Sequence, residues 1–213
     1  MNLLDYRYFY QRNLPHFQPP GATLFITFRL AGSIPVAILA QWKAEAQQVQ
    51  RRLATIADPK ARAEQTDLES RRWFGKWDMA LDTAKVGPFW LRNARIAELV
   101  AGSLHYWAQQ KYSLDTFCIM HNHVHVLLTP LRQANEQYYA LQGIMHTIKR
   151  YTAREANRIL HRSGQFWQEE TFDHVVRDAD ELLRIRQYVV QNPVKAGLVK
   201  QWDEWPWSYA NHA

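Results

Sequence analysis

The stretch from Leu114 to Leu131, LDTFCIMHNHVHVLLTPL, decides how the rest of the chain is read. Phe117 and Ile119 stand before His121-Asn122, and Val124, Val126 and Leu128 follow it. Two apolar runs at strand spacing, separated by a short break, are the pattern of a strand turning into its antiparallel neighbour. Because strand side chains alternate between two faces, His123 and His125 share one face while Val124 and Val126 take the other. Two neutral imidazoles on a rigid strand can hold one divalent ion and leave positions open for a substrate oxygen. The plainer alternative is the polar face of an edge strand. A strand that began early enough would add His121 to the set and make a three-imidazole, zinc-like site. A turn at His121-Asn122, which is the expectation here, points His121 elsewhere.

Working outward, ATLFITFRLAG (Ala22–Gly32) follows a Pro-Pro-Gly break and reads as a first strand, rich in β-branched and aromatic residues. From Ser33, with Pro35 suited to a first turn, Ile38, Trp42, Val49 and Leu53 recur near helical spacing. Residues 57–84 mix charges of both signs with Leu68, Trp73, Phe74, Trp77 and Leu81, which predicts a helical insertion packed on the edge of the core. A second helix is expected over about 91–111 and a third over about 135–162. A strand in TFDHVVRD (Thr171–Asp178) and a fourth helix over about 180–191, stopped by Pro193, come next. The Trp-rich segment 201–213 is expected to fold back on the core. Strands and helices alternate as in an α+β domain, and 213 residues suit one such domain, 1–213, with the insertion inside it.

Composition narrows the chemistry. With 47% apolar and 22% charged residues the chain is neither disordered nor low-complexity. Its single cysteine, Cys118, excludes a disulfide framework and a multi-thiolate zinc site, so nitrogen and oxygen ligands would hold any metal and a reducing compartment is expected. The aromatic, proline-broken start has no uninterrupted apolar run of the kind a signal peptide or membrane span needs, so a cytoplasmic location is expected. A net charge of +6 mildly favours a polyanionic partner.

In ELLRIRQYVVQNPVKAGLV, Tyr188 and Asn192 lie four residues apart at the end of a helix, which puts phenol and carboxamide on one face. One can attack phosphorus while the other binds metal. A phenol with a free pKa of about 10 needs a nearby cation for that work, and an ion on His123 and His125 would be one. The bland reading is a half-buried packing tyrosine. Tyr151 is the rival nucleophile, but no amide follows it on its own face. On the helix before, Arg150, Arg154, Arg158 and Arg162 fall at four-residue steps and form a cationic stripe suited to a phosphate backbone. Lys149 and Lys195 can add to it; a solvated face softened by Glu155 is the alternative.

Taken together, IMHNHVHVLLTP, GQFWQEETFDHVVRD, YVVQNPVKAGLV and the late WPWS resemble, in order and approximate spacing, the REP-associated tyrosine transposases, a branch of the single-tyrosine HUH transposases. The resemblance runs from about Ala22 to Ser208. It implies a ferredoxin-like core with a central antiparallel sheet flanked by helices, the metal ligands His123 and His125, and Tyr188 as nucleophile. It also implies Asn192 where the wider superfamily has a glutamine ligand, with Mg²⁺ or Mn²⁺ as the ion. The substrate it implies is single-stranded, hairpin-forming DNA, cut through a 5′-phosphotyrosine link by a monomer or homodimer associated with the nucleoid. Two departures stand out: His121 replaces a usual proline, and Tyr209 stands where a second serine often follows Ser208. A non-catalytic hairpin-binding protein and a three-histidine zinc hydrolase are the competing readings.

Overall fold

A computed structural model describes residues 9–11, 15–17, 19–84 and 86–211, so much of the N-terminal stretch read above for a leader lies outside the described residues. The chain folds as two compact units, one formed by residues 1–31 and 89–213 and the other by Gly32–Pro88.

The larger unit is built on a five-stranded antiparallel sheet. A small hairpin of β1 (Phe9–Gln11) and β2 (Pro15–Phe17) precedes β3 (Leu24–Arg29), the first strand of that sheet. After the second unit, which contributes α1 (Val36–Ala54) and α2 (Pro59–Asp82), come α3 (Ala94–Trp107), β4 (Tyr112–Ile119), β5 (His123–Pro130) and α4 (Leu141–Ile159). The chain then forms β6 (Phe172–Val175), α5 (Ala179–Lys195) and β7 (Ser208–Ala210). The strand order is β6-β3-β5-β4-β7. With α3 between β3 and β4, and α4 between β5 and β6, the core has the βαββαβ connectivity of a ferredoxin-like fold, extended by β7 at one edge.

Pairing register gives the sheet two unlike faces. Ile26 pairs with Val126 and Phe28 with Val124, and with Leu24, Phe117, Ile119 and Leu128 these residues form the main apolar core under α3 and α4. The helices supply Ile96, Val100, Leu104, Ile144 and Ile148 to it. On the other face Thr27 pairs with His125 and Arg29 with His123. There α5 packs, with the Tyr188 ring edge-on to Phe25 at 6.0 Å between centroids.

Two boundaries differ from the sequence expectation for physical reasons. Helix α5 continues through Pro193 to Lys195. In the last turn the missing N–H forfeits only one intrahelical bond, and the Ala196 N–H still reaches the Asn192 carbonyl at 3.0 Å. Helix α4 spans Leu141–Ile159 rather than about 135–162, and His161 beyond it takes a left-handed backbone, φ 50°.

The smaller unit begins earlier than the charge pattern suggests, because α1 belongs with α2. Ile34, Trp42, Trp73 and Leu81 make a core of their own, in which Trp42 lies 6.4 Å from Trp73 and 5.2 Å from Trp77. Asp58 caps α2, accepting from the Lys60 and Ala61 N–H groups, with Pro59 in the first turn. Ion pairs Arg52–Glu69 and Lys76–Glu45 join the two helices across this core.

Candidate metal and nucleophile site

The turn Met120-His121-Asn122 releases the chain into β5 at His123, so the imidazole pair occupies the first turn-proximal positions of a central strand. Both rings are buried, and their Nε2 atoms converge to 3.0 Å. Each Nδ1 faces a fixed oxygen: Asn122 Oδ1 lies 2.7 Å from that of His123, and Thr27 Oγ1 lies 2.8 Å from that of His125. Holding the near nitrogens this way aims the far ones at a common point. Two nitrogens bonded to one ion at about 2.1 Å and a right angle stand about 3 Å apart, so the pair fits a divalent cation. His121 lies in the turn, apart from the pair's strand, with its ring edge-on to Trp205 at 5.9 Å. Burial, and then the charge of Arg92, lowers its pKa and favours the neutral ring.

Helix α5 brings the second half of the site. Asp178 caps it, accepting from the Glu181 N–H at 2.7 Å. Glu181 ties its first turn to β6 through His174 Nε2 at 3.0 Å. Arg186 holds the middle against β4 by a two-pronged bond to Asp115, with Nε to Oδ1 at 2.7 Å and the other prong to Oδ2. Asp115 is the extra residue where the β4–β5 register shifts between Leu114 and Thr116. Between these anchors the half-buried Tyr188 sits with its ring centroid 5.5 Å from that of His125. Lys195 Nζ lies 4.6 Å from the Tyr188 ring centroid, a cation–π contact. One turn from Tyr188, the Asn192 carboxamide is buried, and neither its oxygen nor its nitrogen has a hydrogen-bond partner among the described residues. Leaving such a group unsatisfied costs about 1–3 kcal/mol, so a ligand for its oxygen is the natural explanation, and amide oxygen suits a hard divalent ion.

The cationic residues divide. Arg150, Arg154 and Arg158 are exposed on the outer side of α4, with Arg154 and Arg158 sharing Glu155 at 2.8 and 2.6 Å. Because α4 covers the apolar face, this stripe is on the side of the sheet away from the imidazole pair. Arg162 leaves the stripe because the helix has ended: it bonds Asn157 Oδ1 at 2.7 Å and stacks on Trp90 at 4.0 Å. Lys149 makes bonds within the protein. Its ammonium is engaged by the Gln168 and Glu169 carbonyls and the Thr171 hydroxyl at 2.9, 3.1 and 2.7 Å, and so holds the segment leading into β6.

Residues 91–192 match the family described as "Transposase IS200 like". That segment, a little under half of the chain, is thus similar to the IS200-like transposases. A curated protein of Haemophilus influenzae, named as a REP-associated tyrosine transposase, is 28% identical over 109 residues, covering 46% of this chain. The match spans 60% of that relative's length. A solved structure of a REP-associated tyrosine transposase bound to a REP hairpin aligns over 93% of this chain and 80% of its own, at 14% identity and a TM-score of 0.48.

The matched segment contains His123, His125, Tyr188 and Asn192, yet part of the site comes from outside it. Thr27 and Arg29 reach it only through the pairing of β3 with β5. Arg29 is buried across from His123; burial lowers its pKa to about 10, partly opposed by the Glu170 carboxylate, so it stays charged at neutral pH. The signal was present in LFITFR, where Thr27 and Arg29 break the apolar run at one parity. Among the described residues no helix is long and apolar enough to cross a membrane.

Proposed function

We propose that the chain is a metal-dependent tyrosine transposase that cleaves and rejoins single-stranded, hairpin-forming DNA through a 5′-phosphotyrosine intermediate. The observation that carries this reading is the approach of Tyr188 to the imidazole pair, although it follows both histidines by more than sixty residues in the chain. The family match supports it.

His123, His125 and Asn192 are the residues that would hold the ion. Mg²⁺ or Mn²⁺ there supplies Lewis-acid polarisation of a non-bridging phosphate oxygen, with Mn²⁺ at least as effective because it accepts imidazole more readily. Tyr188 Oη gives up its proton to solvent and bonds to phosphorus as the bond from phosphorus to the 3′ oxygen breaks, and that oxygen takes a proton from solvent and leaves as a free hydroxyl, with no net proton gained or lost. The phosphotyrosine ester keeps the phosphodiester's energy, so a 3′ hydroxyl can reverse the step without ATP. Arg186 and Glu181 fix the helix that presents Tyr188, which lowers the cost of orienting the nucleophile. Arg29 adds a buried positive charge beside the developing negative charge. Lys195, Arg150, Arg154 and Arg158 contribute phosphate contacts, the arginines on the outer side of α4.

Incubation with end-labelled hairpin DNA and Mn²⁺ tests the reading. A denaturation-resistant protein–DNA adduct should form and disappear in Tyr188→Phe. Hairpin binding with no adduct would make this a DNA-binding protein that does not cut; an adduct surviving Tyr188→Phe would move the nucleophile elsewhere.

A further inference from the structure

The segment 162–167 is tied to the end of the sheet that carries the imidazole pair. The Ala31 N–H donates to the Phe166 carbonyl at 2.8 Å, and Leu30 forms a bridge with Trp167. The Leu30 N–H in turn donates to the carbonyl of Asn122, the residue before His123, at 2.9 Å. Here the buried Phe166 ring stacks on Trp90, with 5.2 Å between centroids and 25° between planes. The Arg162 guanidinium lies over the Trp90 ring at 4.0 Å. Next to it in the chain, Arg92 lies over Phe89 at 4.4 Å. Neither arginine pairs with a carboxylate among the described residues, so two positive charges rest on half-buried aromatic rings with no fixed anion against them.

The way Arg162 is held decides what it can take. Its Nη1 donates to Asn157 Oδ1 at 2.7 Å and its Nη2 to the Gln165 carbonyl at 3.3 Å, so the edge that would grip a phosphate at two points is already used by the protein. Its flat outer face is the part left for a ligand. Gly164, exposed and with φ 91°, passes beside that guanidinium without a side chain; a Cβ there would meet Nη2 at 3.9 Å. A planar cation backed by an indole is a surface on which an unpaired nucleobase stacks. We propose that Arg162 on Trp90, with Arg92 on Phe89 beside it, forms a subsite that stacks unpaired bases of the strand flanking the phosphate at the imidazole pair. Bases in a duplex stem are already stacked on one another, so the subsite selects the single-stranded flank over the stem. The inference rests on the transposase reading for the identity of the strand, while stacking itself needs neither an ion nor Tyr188.

Fluorescence anisotropy in EDTA, where metal-dependent cleavage cannot start, tests this with two labelled probes. One is a hairpin with a single-stranded flank of about eight thymidines, and the other is the same hairpin with the flank's bases removed and its phosphates kept. The wild-type protein should bind the first about 10- to 100-fold more tightly. Arg162→Leu should abolish that preference by weakening the first probe alone. Arg162→Lys should abolish it too, because an ammonium keeps the charge without the plane. Arg92→Leu, at an exposed position, should narrow the preference by a smaller factor. The proposal is overturned if wild type binds the two probes equally, if Arg162→Lys keeps the preference, or if Arg162→Leu weakens both probes alike. Should the Arg162 variants not fold, a preference that Arg92→Leu leaves unchanged would overturn it instead. An adduct with Mn²⁺ but no flank preference would sink this inference alone, and a flank preference without an adduct would sink only the transposase reading.

Discussion

The two faces of the central sheet are made by the same strands and do opposite work. On the face under α3 and α4 every inward side chain of β3 and β5 is apolar, and the Tyr112 hydroxyl at its margin donates to the Leu104 carbonyl at 2.7 Å, with burial pushing its pKa up. On the face under α5 the same strands bury Thr27, Arg29, His123 and His125, and the helix above adds a carboxamide with no partner among the described residues. One face is where the fold gains its stability by burying apolar surface. The other holds polar groups whose burial is costly and which a ligand would satisfy. A strand can serve both because its side chains alternate; a helix presenting both sets would need a full turn of exposed surface for each.

Substitutions on the two faces should therefore separate activity from stability. The largest effect is expected for His125→Ala, which should lower adduct formation by at least about a thousandfold through loss of charge stabilisation at phosphate while circular dichroism shows an intact fold. Wild-type yield in that variant would break the comparison. Phe28→Ala, one residue along on β3 but on the apolar face, removes a fully buried ring packed on Trp167 at 4.8 Å. It should cost about 3–5 kcal/mol in urea unfolding. Protein that remains folded at low temperature should keep the wild-type Mn²⁺ affinity. A smaller effect is expected for Asp115→Asn, which weakens the clamp on Arg186. The expected loss is about 1–2 kcal/mol, kept low because the guanidinium is 33% exposed. A thermal melt gives the stability change, and slower adduct formation at saturating DNA, with unchanged Mn²⁺ affinity, would place the effect on presentation of Tyr188.

Much of the polar face was legible in the sequence because it is written in local spacing. Alternation along β5 puts His123 and His125 on one side, and the helical repeat puts Tyr188 and Asn192 one turn apart; both follow from residues within four positions of one another. Thr27 and Arg29 could not be placed that way. Their role depends on which residue of β5 each one opposes, and a register shift of one would send both to the apolar face. Asp115 was hidden for a related reason, since a bulge depends on how two strands pair and not on either strand alone. The helical stripe ends short of Arg162 because periodicity does not reveal where a helix stops, and the bonds of Lys149 were not legible because they reach a segment about twenty residues away. Pro193 misled in the opposite direction, being a breaker in a helix interior but tolerable in a final turn.

The order in which the sheet is completed has a bearing on how the chain is made. Its three inner strands, β3, β5 and β4, are all synthesised before either of the strands that flank them, β6 and β7. During translation the nascent sheet thus presents unpaired backbone along β3 and β4, both rich in apolar residues and prone to pair with a neighbouring chain. Protection comes with the last segments to emerge, so stalled or prematurely ended products should be the aggregation-prone species in the cell.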